Sequence, residues 1–141
     1  MIGFNKSRFM LVELKNGDGD AAETISLRLR SIPLGYSDMV RSKLPAPTRV
    51  INKNGTMTEI EDPGAAAKNH MLVAHVLIGY ALADQIETKP LNLSSCKADD
   101  LKRYSEELMS EMQRAGLCED HLGKLLTAVM DLQNGAGSLG N

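Results

Sequence analysis

The stretch "EDPGAAAKNHMLVAHVLIGYALAD", residues 61–84, decides how this chain folds. Asp62 followed by Pro63 predicts a helix start, because aspartate accepts the free amides of a first turn and proline has no amide to leave unpaired. The helix is expected to run to about Asp84. Met71, Leu72, Val76, Leu77 and Ile78 cover most of its circumference, so it must be surrounded: it is a central helix, or one buried in an oligomer. Ala67, Ala74 and Ala81 recur every seven residues on one side, where another helix could approach closely. The apolar run from Met71 to Ala83 contains His75 and is shorter than the roughly 18 to 20 residues that span a bilayer. A buried helix is therefore predicted.

Upstream the pattern changes to strands. Met10, Val12 and Leu14 alternate with Phe9, Leu11 and Glu13, and after a turn in "KNGDGDAAE" the run "ETISLRLRSI" sets Ile25, Leu27 and Leu29 against Thr24, Ser26, Arg28 and Arg30. Such alternation predicts a hairpin with one wet face. Pro33 starts a turn, "YSDMVRSKL" suits two turns of helix, and Pro45 and Pro47 stop it. "TRVIN" and "TMTEIED" flank Asn54-Gly55, which suits a type I′ turn and predicts a second, smaller hairpin acting as a flap.

Downstream, a helix is expected from Ala98 to Ala115, with Leu101, Tyr104, Leu108, Met109 and Met112 on one face. Asp99 and Asp100 at its start, Arg114 near its end and Gly116 after it match the dipole and capping rules. Another from Glu119 to about Gln133 places Leu122, Leu125, Leu126, Val129 and Leu132 on one side, and the short loop at Gly116 and Leu117 predicts that the two form an antiparallel pair. The fold class is thus α+β: N-terminal β-hairpins followed by a mainly helical part of about three helices. One domain spans residues 1–134, with strands over about 8–62 and helices over about 63–133. Residues 135–141 read as a flexible glycine-rich tail.

Composition narrows the function classes. With 16 Lys and Arg against 18 Asp and Glu, the net charge is -2, so no broad basic field points to nucleic acid or an anionic membrane. Tryptophan is absent and aromatics make up 4% of the chain, which leaves little material for base stacking. Cys96 and Cys118 form no framework and no apolar leader precedes them, so a reducing, intracellular setting is expected.

No catalytic, cofactor or metal site is predicted. "GAGSLG" at residues 135–140 spells a dinucleotide fingerprint, but a helix precedes it and none follows to offer free amides to a pyrophosphate. Asn16, Asp18 and Asp20 occupy alternate positions of a calcium loop, yet Ala21 stands where its sharp turn needs glycine and Leu27 where a bidentate Glu belongs. His70 and His75 are five apart and diverge around the helix. Cys118 and His121 make half a zinc site with no second ligand pair, and His75 reads as a hydrogen-bonded core or interface residue. Ser94 and Ser95 lack a nucleophile elbow. Asp99-Asp100 and Glu106-Glu107 read as a solvated helix surface, with Asp99 paired to Arg103.

Taken together, the strand pair leading into "LRLRSIPLGYSDMVRSKLPAP", the helix "EDPGAAAKNHMLVAHVLIGYAL" and the acidic helical C-terminal part resemble the tail assembly chaperones of long-tailed bacteriophages, over about residues 8–134. The resemblance implies a small, non-enzymatic protein of the host cytoplasm. Such a protein coats the apolar tape measure protein, recruits tail tube subunits around it and is absent from the mature virion. It carries over no residue roles. Leu139-Gly140-Asn141 can be encoded CTG GGA AAC, which holds the slippery heptamer G GGA AAC, so a minority of chains is expected to continue by frameshift into a second domain.

The eight methionines include Met109, Met112 and Met130 on or beside the apolar seam of the last two helices. A surface around Met109, Met112, Leu125 and Val129 is accordingly expected to bind helix faces of the tape measure protein in a helix-in-groove mode. Self-association would multiply weak contacts along a long client. Two alternatives stand beside this reading: a structural virion protein of the head-tail connector or tail terminator type, and a small nucleic-acid-binding regulator using Arg28, Arg30, Arg41 and Lys43.

Overall fold

The computed structural model describes residues 9–17, 23–45, 48–60 and 63–133. The calcium-loop positions Asp18 and Asp20, the Asp62 cap and the tail with its frameshift site lie outside the described residues. The architecture is α+β, in the order β1 (Phe9–Asn16), β2 (Glu23–Arg30), α1 (Tyr36–Ser42), β3 (Thr48–Ile51), β4 (Met57–Ile60), α2 (Pro63–Ala81), α3 (Ala98–Arg114) and α4 (Glu119–Gln133).

Strands β1 and β2 pair antiparallel in an unbroken register from Phe9 opposite Arg30 to Asn16 opposite Glu23. Met10, Val12 and Leu14 therefore share a face with Leu29, Leu27 and Ile25, as the alternation required. Leu14 and Leu29 on that face are buried, whereas Phe9 and Leu11 on the other stay exposed.

Helix α2 is the hub, packing against α1, β2, α3 and α4. Its buried residues begin at Leu72, so the segment Pro63–Met71 extends past the core and Ala67 is exposed. Along the alanine stripe, Ala74 is half-buried and Ala81 buried. Tyr104 of α3 instead reaches in at Gly79, where a Cβ would overlap its hydroxyl and ring. The helix also ends three residues earlier than Asp84. Leu82 to Gln85 continue as turns, and the last two bind β2: Arg28 N–H donates to Gln85 Oε1 at 2.9 Å, Gln85 Nε2 donates to the Arg28 carbonyl, and Arg28 Nη2 meets Asp84 Oδ2 at 2.6 Å. The Gln85 amide thus occupies the edge of β2 as another strand would.

Helices α3 and α4 keep the expected bounds almost to the residue. Asp100 accepts the Lys97 amide at 2.8 Å at the start of α3. A Schellman turn closes its end, with Leu117 N–H donating to the Met112 carbonyl, Gly116 N–H to that of Gln113, and Gly116 at φ 86°. The expected pairing of α3 with α4 is corrected: both pack on α2, and their backbones make at most marginal contact with each other. The apolar circumference of α2 is wide enough to need cover on more than one side, and each helix supplies one. Arg103 pairs with Asp100 at 3.5 Å rather than with Asp99.

The second hairpin forms, but not around a type I′ turn. Gly55 alone has positive φ, its amide donates to the Asn52 carbonyl at 3.0 Å, and Asn52 N–H donates to Thr56 O at 2.7 Å. This is a three-residue loop, a type I turn closed by a left-handed glycine. The Asn54 side chain fixes it by accepting from the Thr56 amide and hydroxyl at 3.1 and 2.6 Å.

Candidate functional site

The core collects Leu14, Leu29, Val40, Val76, Ile78, Leu82, Leu101, Leu108 and the inner faces of α3 and α4. The expected partner surface lies largely inside it. Met112, Leu125 and Val129 are only 5%, 0% and 1% exposed, and Met109 is half-buried against the same cluster. This assignment is corrected: the apolar stripes of α3 and α4 are what cover α2, so they offer no groove to a client. Of the methionines named, Met130 is exposed, on the opposite side of α4.

Exposed apolar side chains lie elsewhere, among them Phe9 and Leu11 on β1, Leu34 and Met39, and a group of four on the ribbon formed by β3 and β4. Its register sets Ile51 opposite Met57 and Val50 opposite Thr58, so Ile51 and Met57 share one face while Val50 and Ile60 lie on the other. Ile51 is 73% exposed, Met57 60% and Ile60 55%. The ribbon has no substantial packing contact with any other described element. A two-stranded ribbon standing alone is marginal in water, so these aliphatic side chains gain most from a partner. Met71, exposed on the segment of α2 that extends past the core, lies on the same stretch of chain.

A second constellation brings together residues far apart in sequence. Arg30 lies with its guanidinium carbon 4.1 Å from the centre of the Tyr80 ring and donates from Nε to the Tyr80 carbonyl at 2.8 Å. The Tyr36 ring packs on Tyr80 at a centroid distance of 4.5 Å. Tyr104 enters from α3 against Gly79, and the group lines a cleft of about 80 Å³ with Thr88, Pro90 and Leu91. Burial, with smaller contributions from neighbouring groups, pushes the Tyr36 and Tyr104 hydroxyls up to about 12 against the opposing pull of Arg30. Across the loop from this cleft, Glu111 accepts from the Glu87 and Thr88 amides at 2.8 Å each and from the Thr88 hydroxyl at 2.5 Å. Burial alone would raise this carboxyl; those hydrogen bonds and Arg114 outweigh it and hold it below its ordinary value.

The histidines have structural partners. His121 bridges α4 to the end of β1: its Nε2–H donates to the Lys15 carbonyl at 2.7 Å, while Nδ1 accepts from the Cys118 amide at 3.0 Å, with the thiol at 3.4 Å. Among the described residues, no group of three or more His, Cys, Asp or Glu side chains converges as a metal site would require. His70 is exposed, whereas His75 links α2 to α3 through Ser105 Oγ, 2.6 Å from its Nδ1. Burial lowers the His75 pKa, partly offset by Glu119.

This linkage gives a pH prediction. The unfolded chain takes up a proton on His75 near pH 6.5 while the folded chain resists it, so His75 contributes stability above that pH and loses it as the pH falls toward the lower folded pKa. The urea midpoint of the wild type is expected to drop between about pH 7 and about pH 5. In His75→Gln that part of the slope should be absent.

Of the four cations in the basic stripe, Arg28 is paired with Asp84 and Arg30 is engaged with Tyr80, leaving Arg41 and Lys43 on or just after α1. The Arg28–Asp84 hydrogen bond also holds the Asp84 carboxyl below its ordinary range. Sequence periodicity had no means of finding the tyrosine cleft, which joins one residue each from β2 and α3 to residues at the start of α1 and near the end of α2. The ribbon did carry a signal: Val50 and Ile51 are adjacent aliphatic residues on opposite faces, so no single inner face exists to bury. No protein-family model, curated protein or solved structure matches this chain.

Proposed function

We propose that this protein is a phage tail assembly chaperone, which holds the tape measure protein soluble in the host cytoplasm, helps recruit tail tube subunits around it and leaves before the virion is mature. The supporting observation is the β3–β4 ribbon, which exposes aliphatic side chains on both faces and has no substantial contact with another described element. Exposed apolar side chains gathered on one element in this way mark a candidate interaction site. In this reading the client meets the ribbon and not the α3–α4 stripe, and copies of the chain add their weak contacts along an extended client.

Co-expression with the tape measure protein of the same phage tests the reading. The client should move from the insoluble to the soluble fraction and co-purify with the chaperone. A client that stays insoluble beside well-folded partner would remove the proposal. The ribbon equally suits a second reading, a structural virion protein whose hairpins make ring contacts. Purified virions distinguish the two, since a chaperone is absent from them and a connector or terminator is retained.

A further inference from the structure

We propose that the cleft lined by Arg30, Tyr36, Tyr80 and Tyr104 binds a carboxylate group. The inference stands on the cleft alone and does not depend on the chaperone reading. All three tyrosines of the chain meet there around one guanidinium, although the sequence is poor in aromatics. Arg30 is held by its stack on Tyr80 and by its Nε bond, so its orientation is set before any ligand arrives. Its two terminal nitrogens have no partner among the described residues, and a planar fork of donors matches a carboxylate.

The hydroxyls of Tyr36 and Tyr104 also lack a hydrogen-bond partner among the described residues. No buried side-chain polar atom of the described residues is unsatisfied, so solvent reaches both hydroxyls, and both tyrosines line the cleft. Both stay protonated at any physiological pH and can donate. Gly79 makes the arrangement possible, because only bare backbone leaves room for the Tyr104 ring. A cleft of about 80 Å³ has room for a carboxylate and a short stem. Glu111 is the nearby negative charge that opposes an anion; its oxygens are already engaged by the 87–88 amides and the Thr88 hydroxyl.

A carboxylate of this size comes either from a small organic acid or from the end or an acidic side chain of a protein. Because the chain has no tryptophan and every tyrosine lines the cleft, its intrinsic tyrosine fluorescence reports on this site directly. The full chain is titrated with sodium acetate, with sodium chloride at matched ionic strength, and with a short peptide in its free-acid and amidated forms. Acetate or the free-acid peptide should give a saturable change, of about millimolar affinity for so small a group, that chloride and the amidated peptide do not. Saturation by acetate assigns the small acid as sufficient. Saturation by the free-acid peptide alone assigns a chain end.

Arg30→Gln should weaken binding at least about tenfold, as loss of a charge-assisted hydrogen bond implies. Tyr36→Phe, which keeps the ring packing, should weaken it about threefold to tenfold, and Glu111→Gln should strengthen it. No saturable change with either carboxylate, or wild-type binding by both Arg30→Gln and Tyr36→Phe in folded protein, would overturn the proposal.

Discussion

Replacing Val129 with aspartate is expected to abolish the native fold, whereas the same substitution at the next residue, Met130, leaves stability unchanged. Val129 is enclosed by the core, so an aspartate there places a carboxylate among aliphatic side chains with no partner on hand. Such a change costs more than about 4 kcal/mol, a large share of the about 5–15 kcal/mol that holds a domain together. Met130 is turned outward, and its replacement stays within about 0.5 kcal/mol. Urea denaturation followed by circular dichroism reads both. Equal midpoints for the two variants would mean that α4 does not pack on α2 as described.

The second large effect concerns binding and leaves the fold alone. Ile51 and Met57 are directly opposed across the ribbon, so Ile51→Lys combined with Met57→Glu removes both apolar side chains and puts opposite charges in register. Strand pairing and net charge are preserved, and because the ribbon has no substantial contact with another described element, the main unfolding transition should not shift. Burying a large aliphatic side chain gives about 1.5 kcal/mol or more, so losing two should weaken client binding about a hundredfold. A pull-down of the tape measure protein across a concentration series measures this. Undiminished capture would place the client on a different surface.

How much of this was legible in the sequence follows from what periodicity encodes. The alternation of Met10, Val12 and Leu14 against Ile25, Leu27 and Leu29 fixed a hairpin face, and the 3.6-residue spacing of Leu101, Tyr104, Leu108 and Met112 fixed a helix stripe. Gly116 located the break between α3 and α4 because only a glycine takes the left-handed turn at low cost. Periodicity marks the face to be buried but does not say what buries it. The stripe through Met112, Leu125 and Val129 could belong to a client groove or to the core, and the apolar circumference of α2 decided for the core.

The end of α2 shows a similar limit. Helical propensity alone would carry it to Asp84, but the pull of Arg28 on Asp84 and Gln85 is a tertiary interaction across more than fifty positions. Such pairings leave no local trace in the sequence. The Arg30 cleft is the extreme case, since its members carry meaning only once β2, α1, α2 and α3 are assembled. At the ribbon turn, the Asn54-Gly55 pair was read correctly as a reversal, while its type depended on strand register.

Amide hydrogen exchange of this protein, alone and mixed with the tape measure protein as its proposed client, tests the central claim most directly. The account predicts new protection over residues 48–60 and the exposed first turns of α2, with the amides of α3 and α4 unchanged. Protection concentrated on α3 and α4, or none on the ribbon in a complex that does form, would contradict it.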